Sequence, residues 1–154
     1  MEDEHQVLDV LVKDLEEFED IFPIEFASSA DQARRLIKEI KSLNGKIGLV
    51  LCDHIMPGDN GVELLIEMKD DEFTKNTRKV LITGQAGLED TIKAVNRAGL
   101  NHYIAKPWKK HELIEVVKKE LTSFVIENEE KLLPYMTLLD VEKLQDEIRS
   151  RGYI

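Results

Sequence analysis

The spacing of apolar residues along the chain alternates between the period of a helix and the continuous runs of a buried strand. Residues 5–19 form a predicted helix whose apolar stripe consists of Val7, Leu8, Leu11, Leu15 and Phe18. Short apolar runs, typical of strands in a parallel sheet, occupy residues 24–27, 47–53, 79–84 and 101–106. Further helices are predicted over residues 29–44, 61–70, 88–98 and 109–123. This alternation predicts an α/β fold with a parallel sheet covered by helices on both faces.

The last part of the chain carries a helical signal of its own. Pro134 interrupts a helix, and Thr137, with Asp140 three residues later, has the spacing of a capping box. The apolar positions of the helix that follows are Leu138, Val141, Leu144 and Ile148. We therefore divide the chain into an α/β domain over residues 1–123 and a helical extension over residues 124–154. The extension either packs back on the domain or forms a dimer seam or a connector to a partner.

Three chemically active side chains stand where predicted strands end. Asp53 closes the run 47–53, and turn-forming residues after it lead the chain away. Thr83 and Lys106 end the next two strands. Because open parallel sheets carry their ligand sites at the carboxyl ends of the strands, one cleft should collect all three side chains. The set suits phosphoryl transfer: the carboxylate attacks, a divalent cation and Lys106 offset the negative charge, and Thr83 hydrogen-bonds a phosphoryl oxygen.

Composition and charge narrow the class of protein. The 154 residues suffice for a sizeable core, and contents of 42% hydrophobic and 34% charged residues are ordinary for a globular domain. A formal net charge of -10 disfavours direct binding of nucleic acid, whose phosphates are bound by clustered Lys and Arg. The single cysteine excludes an internal disulfide, no apolar run has membrane-spanning length, and no signal peptide is visible. We expect a cytoplasmic protein that does not bind membranes.

The motifs at the strand ends resemble those of response-regulator receiver domains of bacterial two-component signalling. The resemblance covers roughly residues 1–123 and rests on motifs in family order: Asp53 followed by Met56-Pro57 and Gly61, then Thr83-Gly84, then Lys106-Pro107. It implies a flavodoxin-like, doubly wound parallel sheet, in which Asp53 accepts a phosphoryl group from the phosphohistidine of a histidine kinase or phosphotransfer protein. The signal would pass by conformational change to a downstream protein partner or a homodimer. Such a module is not a conventional enzyme, since it catalyses only its own phosphorylation and slow dephosphorylation.

The resemblance also assigns roles to other residues. Thr83 and Tyr103 would form a switch pair, in which the hydroxyl moves toward the phosphoryl group and the aromatic ring turns inward. The Mg2+ ligands implied by the family pattern are Asp3, Glu2, Asp53 and the backbone carbonyl of Ile55. The Lys106-Pro107 bond is expected to be cis. Trp108 is either a partner-facing anchor or a cap on the fifth helix, and its place beside the expected signalling face favours the anchor.

The chain departs from the family pattern at its amino terminus. Glu2-Asp3-Glu4 matches the acidic end of the family's first strand, but the strand itself is missing, because the sequence begins at Met1. Four buried Val or Ile side chains would contribute ~6–12 kcal/mol, against a typical total stability of about 5–15 kcal/mol. We therefore expect a truncated product, a start assigned at an internal valine codon, or a gap filled by another segment or a second chain.

Other classes with a similar aspartate fit less well. A haloacid-dehalogenase-type phosphatase would have a second aspartate two residues after the first, where this chain has Ile55. A flavodoxin would have a hydroxyl-rich phosphate loop where this chain has Glu2-Asp3-Glu4. The main alternative is a degenerate receiver-like module that is not phosphorylated and serves in interaction or dimerisation. The missing strand favours that alternative, whereas the intact Asp53, Thr83 and Lys106 favour a phosphoacceptor.

Overall fold

The structure, a computed structural model, describes residues 1, 5–53, 55–56, 59–84 and 94–152. Its helices are α1 (His5–Asp14), α2 (Ala30–Ser42), α3 (Gly61–Asp70), α4 (Lys110–Asn128) and α5 (Val141–Ser150), with 3-10 turns at Glu16–Phe18 and Leu133–Tyr135 and a π-helix at Ala94–Ala98. Its strands are β1 (Leu49–Asp53), β2 (Ile55–Met56), β3 (Asp59–Asn60), β4 (Arg78–Thr83) and β5 (His102–Ala105). The predicted α/β alternation is confirmed. Most of the predicted helix over residues 88–98 lies outside the described residues.

Three parallel strands form the main sheet in the described part of the chain, in the order β1-β4-β5. The register places Asp53 opposite Ile82 and Thr83 opposite Ala105. The carboxyl ends of the three strands therefore lie at one edge of the sheet. β2 and β3 form a separate antiparallel pair immediately after β1.

Side chains alternate across the sheet and enter two hydrophobic clusters. On β4, Val80 and Ile82 belong to the first cluster and Leu81 to the second. The first cluster joins the sheet to α1, α4 and α5, and the second joins it to α2 and α3. Cys52 is fully buried in the second cluster. Because β1 and β4 are covered on both faces, they are largely apolar runs in the sequence, whereas β5 buries only Ile104.

Capping residues account for the bounds of α2. The Ser29 side chain accepts a hydrogen bond from the Gln32 backbone N–H at 3.1 Å, and the Gln32 side chain accepts one from the Ser28 backbone N–H at 2.8 Å. These two bonds form a capping box whose second bond is displaced by one residue. Asn44 follows the helix in the left-handed region, at φ 57°. The helix predicted over residues 5–19 is shorter, since α1 ends at Asp14 and only a 3-10 turn continues it.

A cavity of about 260 Å³, here termed the β1 slot, lies along one flank of β1. Its lining is mostly apolar and comes from α1, α2, β1 and residues 22–27. Met1 lies at one end of this flank. Its carbonyl accepts a hydrogen bond from the Asp53 N–H at 2.9 Å, and its amino group donates to the Leu51 carbonyl at 2.5 Å. This is the hydrogen-bond pattern of a parallel strand, reduced to one residue.

The strand predicted over residues 24–27 is wrong. The segment is irregular and belongs to neither sheet. A β-strand requires the backbone groups of a neighbouring strand, and none lies beside this segment in the described part of the chain. The β1 slot is lined by the segment itself, so the space beside it is a cavity rather than a strand.

The extension packs back on the domain. Leu139 and Leu144 are buried in the first hydrophobic cluster. The Arg151 guanidinium donates to the carbonyls of Ile126 and Glu129, at 2.5 Å and 2.9 Å. These carbonyls lie at the end of α4, where backbone acceptors have no partner within the helix. Of the roles considered for the extension, packing on its own domain is the one that the structure shows.

The bounds of the last two helices differ from those predicted. α4 continues to Asn128, past the predicted end at residue 123, and no Gly or Pro stands in the sequence to stop it. α5 is capped by Asp140, whose side chain accepts from the Lys143 N–H at 3.2 Å. Thr137 therefore does not cap this helix. The division of the chain at residue 123 stays a prediction.

Candidate functional site

Asp53 is the last residue of β1 and places a carboxylate at the carboxyl edge of the sheet. The residue is 7% exposed, so it is largely buried at this edge of the sheet. Its carbonyl oxygen lies against Gly61, the first residue of α3. A Cβ atom on residue 61 would be 2.0 Å from that oxygen, so this close approach requires glycine. The start of α3 thereby fixes the backbone that carries the carboxylate.

Lys106 follows β5 and brings its ammonium group to the same edge. Its Nζ lies 3.4 Å from Asp53 Oδ2. Its backbone N–H donates to the Thr83 carbonyl at 2.8 Å, so pairing with β4 continues one residue beyond β5. The Lys106–Pro107 bond is cis, as the resemblance implies. The contact between the ammonium and the carboxylate therefore spans the sheet from β5 to β1.

Thr83 ends β4, the strand between the other two. Its hydroxyl oxygen is buried and has no hydrogen-bond partner among the described residues. Leaving a buried polar group unpaired costs about 1–3 kcal/mol. The next residue is Gly84, and a Cβ placed on it would have Lys106 Cδ as its nearest neighbour among the described residues, at 3.9 Å. A ligand with oxygen acceptors at this edge would give the hydroxyl a partner.

The other residues assigned by the resemblance are less completely described. Tyr103, on β5, is 54% exposed, and its ring centroid lies 6.3 Å from that of His102. The ring faces outward here, and its inward turn stays a prediction. Glu2 and Asp3 lie outside the described residues, and only the backbone of Ile55 is described. Within the described ranges, no group of three His, Cys, Asp or Glu side chains could hold a metal ion.

Trp108 makes contacts within the domain that the sequence did not predict. The side chain packs against the first hydrophobic cluster, and its Nε1 donates to Asp14 Oδ2 at 3.1 Å. These contacts bury the side chain only in part, and its role as a partner-facing anchor stays a prediction. The two residues are 94 positions apart, so no local pattern could have indicated the contact.

Two side chains with perturbed pKa values lie away from this edge of the sheet. Burial, followed by the charges of Arg78 and Lys69, lowers the pKa of Lys79, near the start of β4. Burial, followed by the charge of Glu129, raises the pKa of Tyr135. Neither group faces the three side chains of the candidate site, so their titration bears on stability.

The fold and the three strand-end side chains together define a receiver domain of the kind used in two-component signalling. The sequence matches the family model of the response regulator receiver domain over residues 1–118. The chain therefore belongs to this family. None of the helices in the ranges described is long and apolar enough to cross a membrane.

Individual relatives agree with this assignment. The chain is 37% identical over 119 residues to the hydrogenase transcriptional regulatory protein HoxA of Cupriavidus necator, covering 77% of this chain and 23% of that protein. It is 37% identical over 75 residues to the chemotaxis protein CheY-3 of Vibrio cholerae, covering 49% of this chain and 57% of that protein. A CheY-like receiver domain from Methanospirillum hungatei superposes with a TM-score of 0.71 at 28% identity, covering 82% of this chain and 94% of that one. The chain thus spans less than two thirds of the length of these curated relatives.

Proposed function

We propose that the chain is a phosphoacceptor, in which Asp53 takes a phosphoryl group from the phosphohistidine of a histidine kinase or a phosphotransfer protein. A carboxylate oxygen attacks phosphorus while the phosphorus–nitrogen bond of the donor breaks. The electron pair of that bond stays on the imidazole nitrogen, and an aspartyl phosphate forms. The observation that carries the proposal is the 3.4 Å contact between Lys106 Nζ and Asp53 Oδ2, at the sheet edge where the buried Thr83 hydroxyl has no partner among the described residues.

Lys106 and Thr83 stabilise the charge that develops on the phosphoryl oxygens. The ammonium group already lies next to the attacking carboxylate, so no rearrangement is needed to place it beside the incoming group. The Thr83 hydroxyl donates to a phosphoryl oxygen and so gains an acceptor. Gly84, which has no side chain, leaves the cleft open to the donor. The chain thus catalyses its own phosphorylation and slow hydrolysis, and acts on no separate substrate.

Mg2+ is the proposed cofactor. It binds oxygen ligands, and Asp53 supplies a carboxylate at the open edge of the sheet. The further ligands proposed are Asp3, Glu2 and the backbone carbonyl of Ile55. Met1, bonded directly to Glu2, has its carbonyl hydrogen-bonded to the Asp53 backbone. Bound Mg2+ would offset negative charge on the carboxylate and on the phosphoryl oxygens.

The proposed output is a conformational change in residues 1–123 that a downstream protein or a second copy of the chain detects. Thr83 moves toward the phosphoryl group, and the exposed Tyr103 ring turns inward into the vacated space. Both residues lie at neighbouring strands, since Thr83 is paired with Ala105 on the strand that carries Tyr103. In this scheme the helical extension, residues 124–154, stays packed on the domain.

A degenerate module that binds partners without phosphorylation is the second candidate. The β1 slot favours it, because one flank of the strand that carries Asp53 is largely unpaired among the described residues. Phosphoryl transfer requires reacting groups that are held firmly in place. A module that only binds partners does not require a fixed position of the Asp53 carboxylate.

Intact-mass spectrometry after incubation with acetyl phosphate and Mg2+ separates the two candidates. We expect one acid-labile phosphoryl group on the wild type and none on Asp53→Asn, which keeps the size of the side chain. Asp9→Asn, an exposed position on α1, is the matched control and should be labelled like the wild type. An unlabelled wild type, or an Asp53→Asn variant labelled at the wild-type level, would reject the phosphoacceptor.

A further inference from the structure

The link between β5 and α4, residues 106–109, is anchored at two points. At its start, the Lys106 N–H donates to the Thr83 carbonyl at 2.8 Å. Near its end, the Trp108 indole packs against the first hydrophobic cluster and donates to Asp14 Oδ2 at 3.1 Å. The second anchor belongs to α1, whereas Asp53 and Thr83 belong to the sheet and Lys106 to the link itself. The path of the backbone beside Lys106 therefore depends on α1 as well as on the sheet.

Asp14 occupies a position that its own helix disfavours. It is the last residue of α1, and the negative end of a helix dipole repels a carboxylate. The hydrogen bond from the indole N–H to this carboxylate is charge-assisted, and such bonds are stronger than those between neutral groups. The Asp14 carboxylate is thus stabilised by the Trp108 indole and destabilised by the dipole of its own helix.

We propose that the Asp14–Trp108 hydrogen bond is a positioning contact that holds the Lys106 ammonium group at Asp53. The inference rests on the proposed function, because its consequence is a rate of phosphoryl transfer. Neither Asp14 nor Trp108 touches the reacting atoms. Without their hydrogen bond, the link keeps the Lys106 backbone bond and the packing of residue 108 but loses its polar anchor on α1, and the flexible lysine side chain has more positions to sample. The end of α1 then sets how fast Asp53 is phosphorylated.

The test compares phosphorylation rates, with acetyl phosphate and Mg2+, across variants of the two residues. Trp108→Phe keeps an aromatic ring but removes the N–H donor, and Asp14→Ala removes the acceptor. Each should slow phosphorylation by roughly threefold to tenfold, the effect expected when one hydrogen bond no longer supports a reaction. The double variant should be no slower than either single variant, because both remove the same contact. Asp14→Asn, which retains an acceptor oxygen, should recover most of the rate.

Two controls separate positioning from a general loss of stability. Asp9→Ala removes an exposed carboxylate from the same helix and should keep the wild-type rate. Ile148→Val, in the first cluster but on α5, should lower the melting temperature without slowing phosphorylation. Wild-type rates in Trp108→Phe and Asp14→Ala would overturn the inference, as would equal slowing in Ile148→Val. A wild type that takes no label would overturn the proposed function and this inference together, whereas a labelled wild type with unaffected variants overturns the inference alone.

Discussion

The two flanks of β1 differ in how completely they are paired. On one flank, β4 pairs with all 5 residues of β1, from Leu49 opposite Arg78 to Asp53 opposite Ile82. On the other flank, the described residues supply only Met1, and the β1 slot occupies the remaining space. Thr83 and Lys106 of the proposed site come from the paired flank, whereas the proposed Mg2+ ligands Glu2 and Asp3 follow Met1 in the sequence. The two flanks therefore contribute unequally: the paired flank positions Thr83 and Lys106, and the open flank leaves apolar surface of β1 that a further strand could cover.

Filling the β1 slot is the change with the largest expected effect. A segment of four Val or Ile residues fused before Met1 would extend the pairing that Met1 makes with β1. Burial of those side chains contributes at most ~6–12 kcal/mol, so the melting temperature should rise by roughly 10 °C or more. A serine segment of the same length is the matched control and should have little effect. A melting temperature that is unchanged by the apolar segment would contradict the role given to the slot.

Removing the ammonium group tests the paired flank. Lys106→Ala should fold normally but accept phosphate about 100-fold more slowly, since removal of one charge-stabilising donor commonly has this effect. It should also uncouple any phosphate that is accepted from the response of a partner or dimer. The rate is measured with acetyl phosphate, beside Lys109→Ala, an exposed lysine of the same link. A normal rate and a normal response in Lys106→Ala would remove this residue from the mechanism.

Gly61→Ala should strain the contact between the start of α3 and the backbone of Asp53, the residue that carries the nucleophilic carboxylate. The added Cβ would meet the Asp53 carbonyl oxygen at 2.0 Å and Cys52 Sγ at 2.7 Å. Because a backbone atom must move, we expect the free energy of unfolding to fall by about 1–3 kcal/mol. Gly84→Ala is the matched control, since in the part of the chain that the structure describes its Cβ would meet nothing closer than 3.9 Å. Equal free energies of unfolding for the two variants in urea would show that the close approach of Gly61 to the Asp53 carbonyl does not affect stability.

The sequence predicted the paired flank better than the open one, for a physical reason. The runs ending in Asp53 and Thr83 are largely apolar because β1 and β4 are covered on both faces, and parallel pairing brings their ends together with the end of β5. Residues 24–27 have a similar local pattern, but a strand exists only when a neighbour pairs with it. The contact between Asp14 and Trp108, likewise, depends on tertiary packing across 94 positions. Local patterns therefore indicated the site residues, but not the contacts that support them.

The smallest predicted effect concerns the end of β4 far from the site. Burial lowers the pKa of Lys79 below its ordinary value of 10.5, with Arg78 and Lys69 as further causes. Between the lowered value and 10.5 the unfolded chain binds more protons than the folded chain, so the stability of the wild type should rise with pH across this window. Lys79→Met, which keeps the length of the side chain, should flatten that rise.

The measurement is urea unfolding at several alkaline pH values, with wild type and Lys79→Met side by side. Tyr135 opposes the trend, because its raised pKa makes the folded state retain a proton above pH 10.0, so stability falls as pH rises further. Tyr135→Phe removes this second titration while keeping an aromatic ring beside Phe22, whose centroid is 5.5 Å from that of Tyr135. The difference between Lys79→Met and the wild type, measured in the Tyr135→Phe background, then belongs to Lys79. Parallel pH profiles in that background would mean that the Lys79 ammonium group is as well solvated in the folded chain as in the unfolded one.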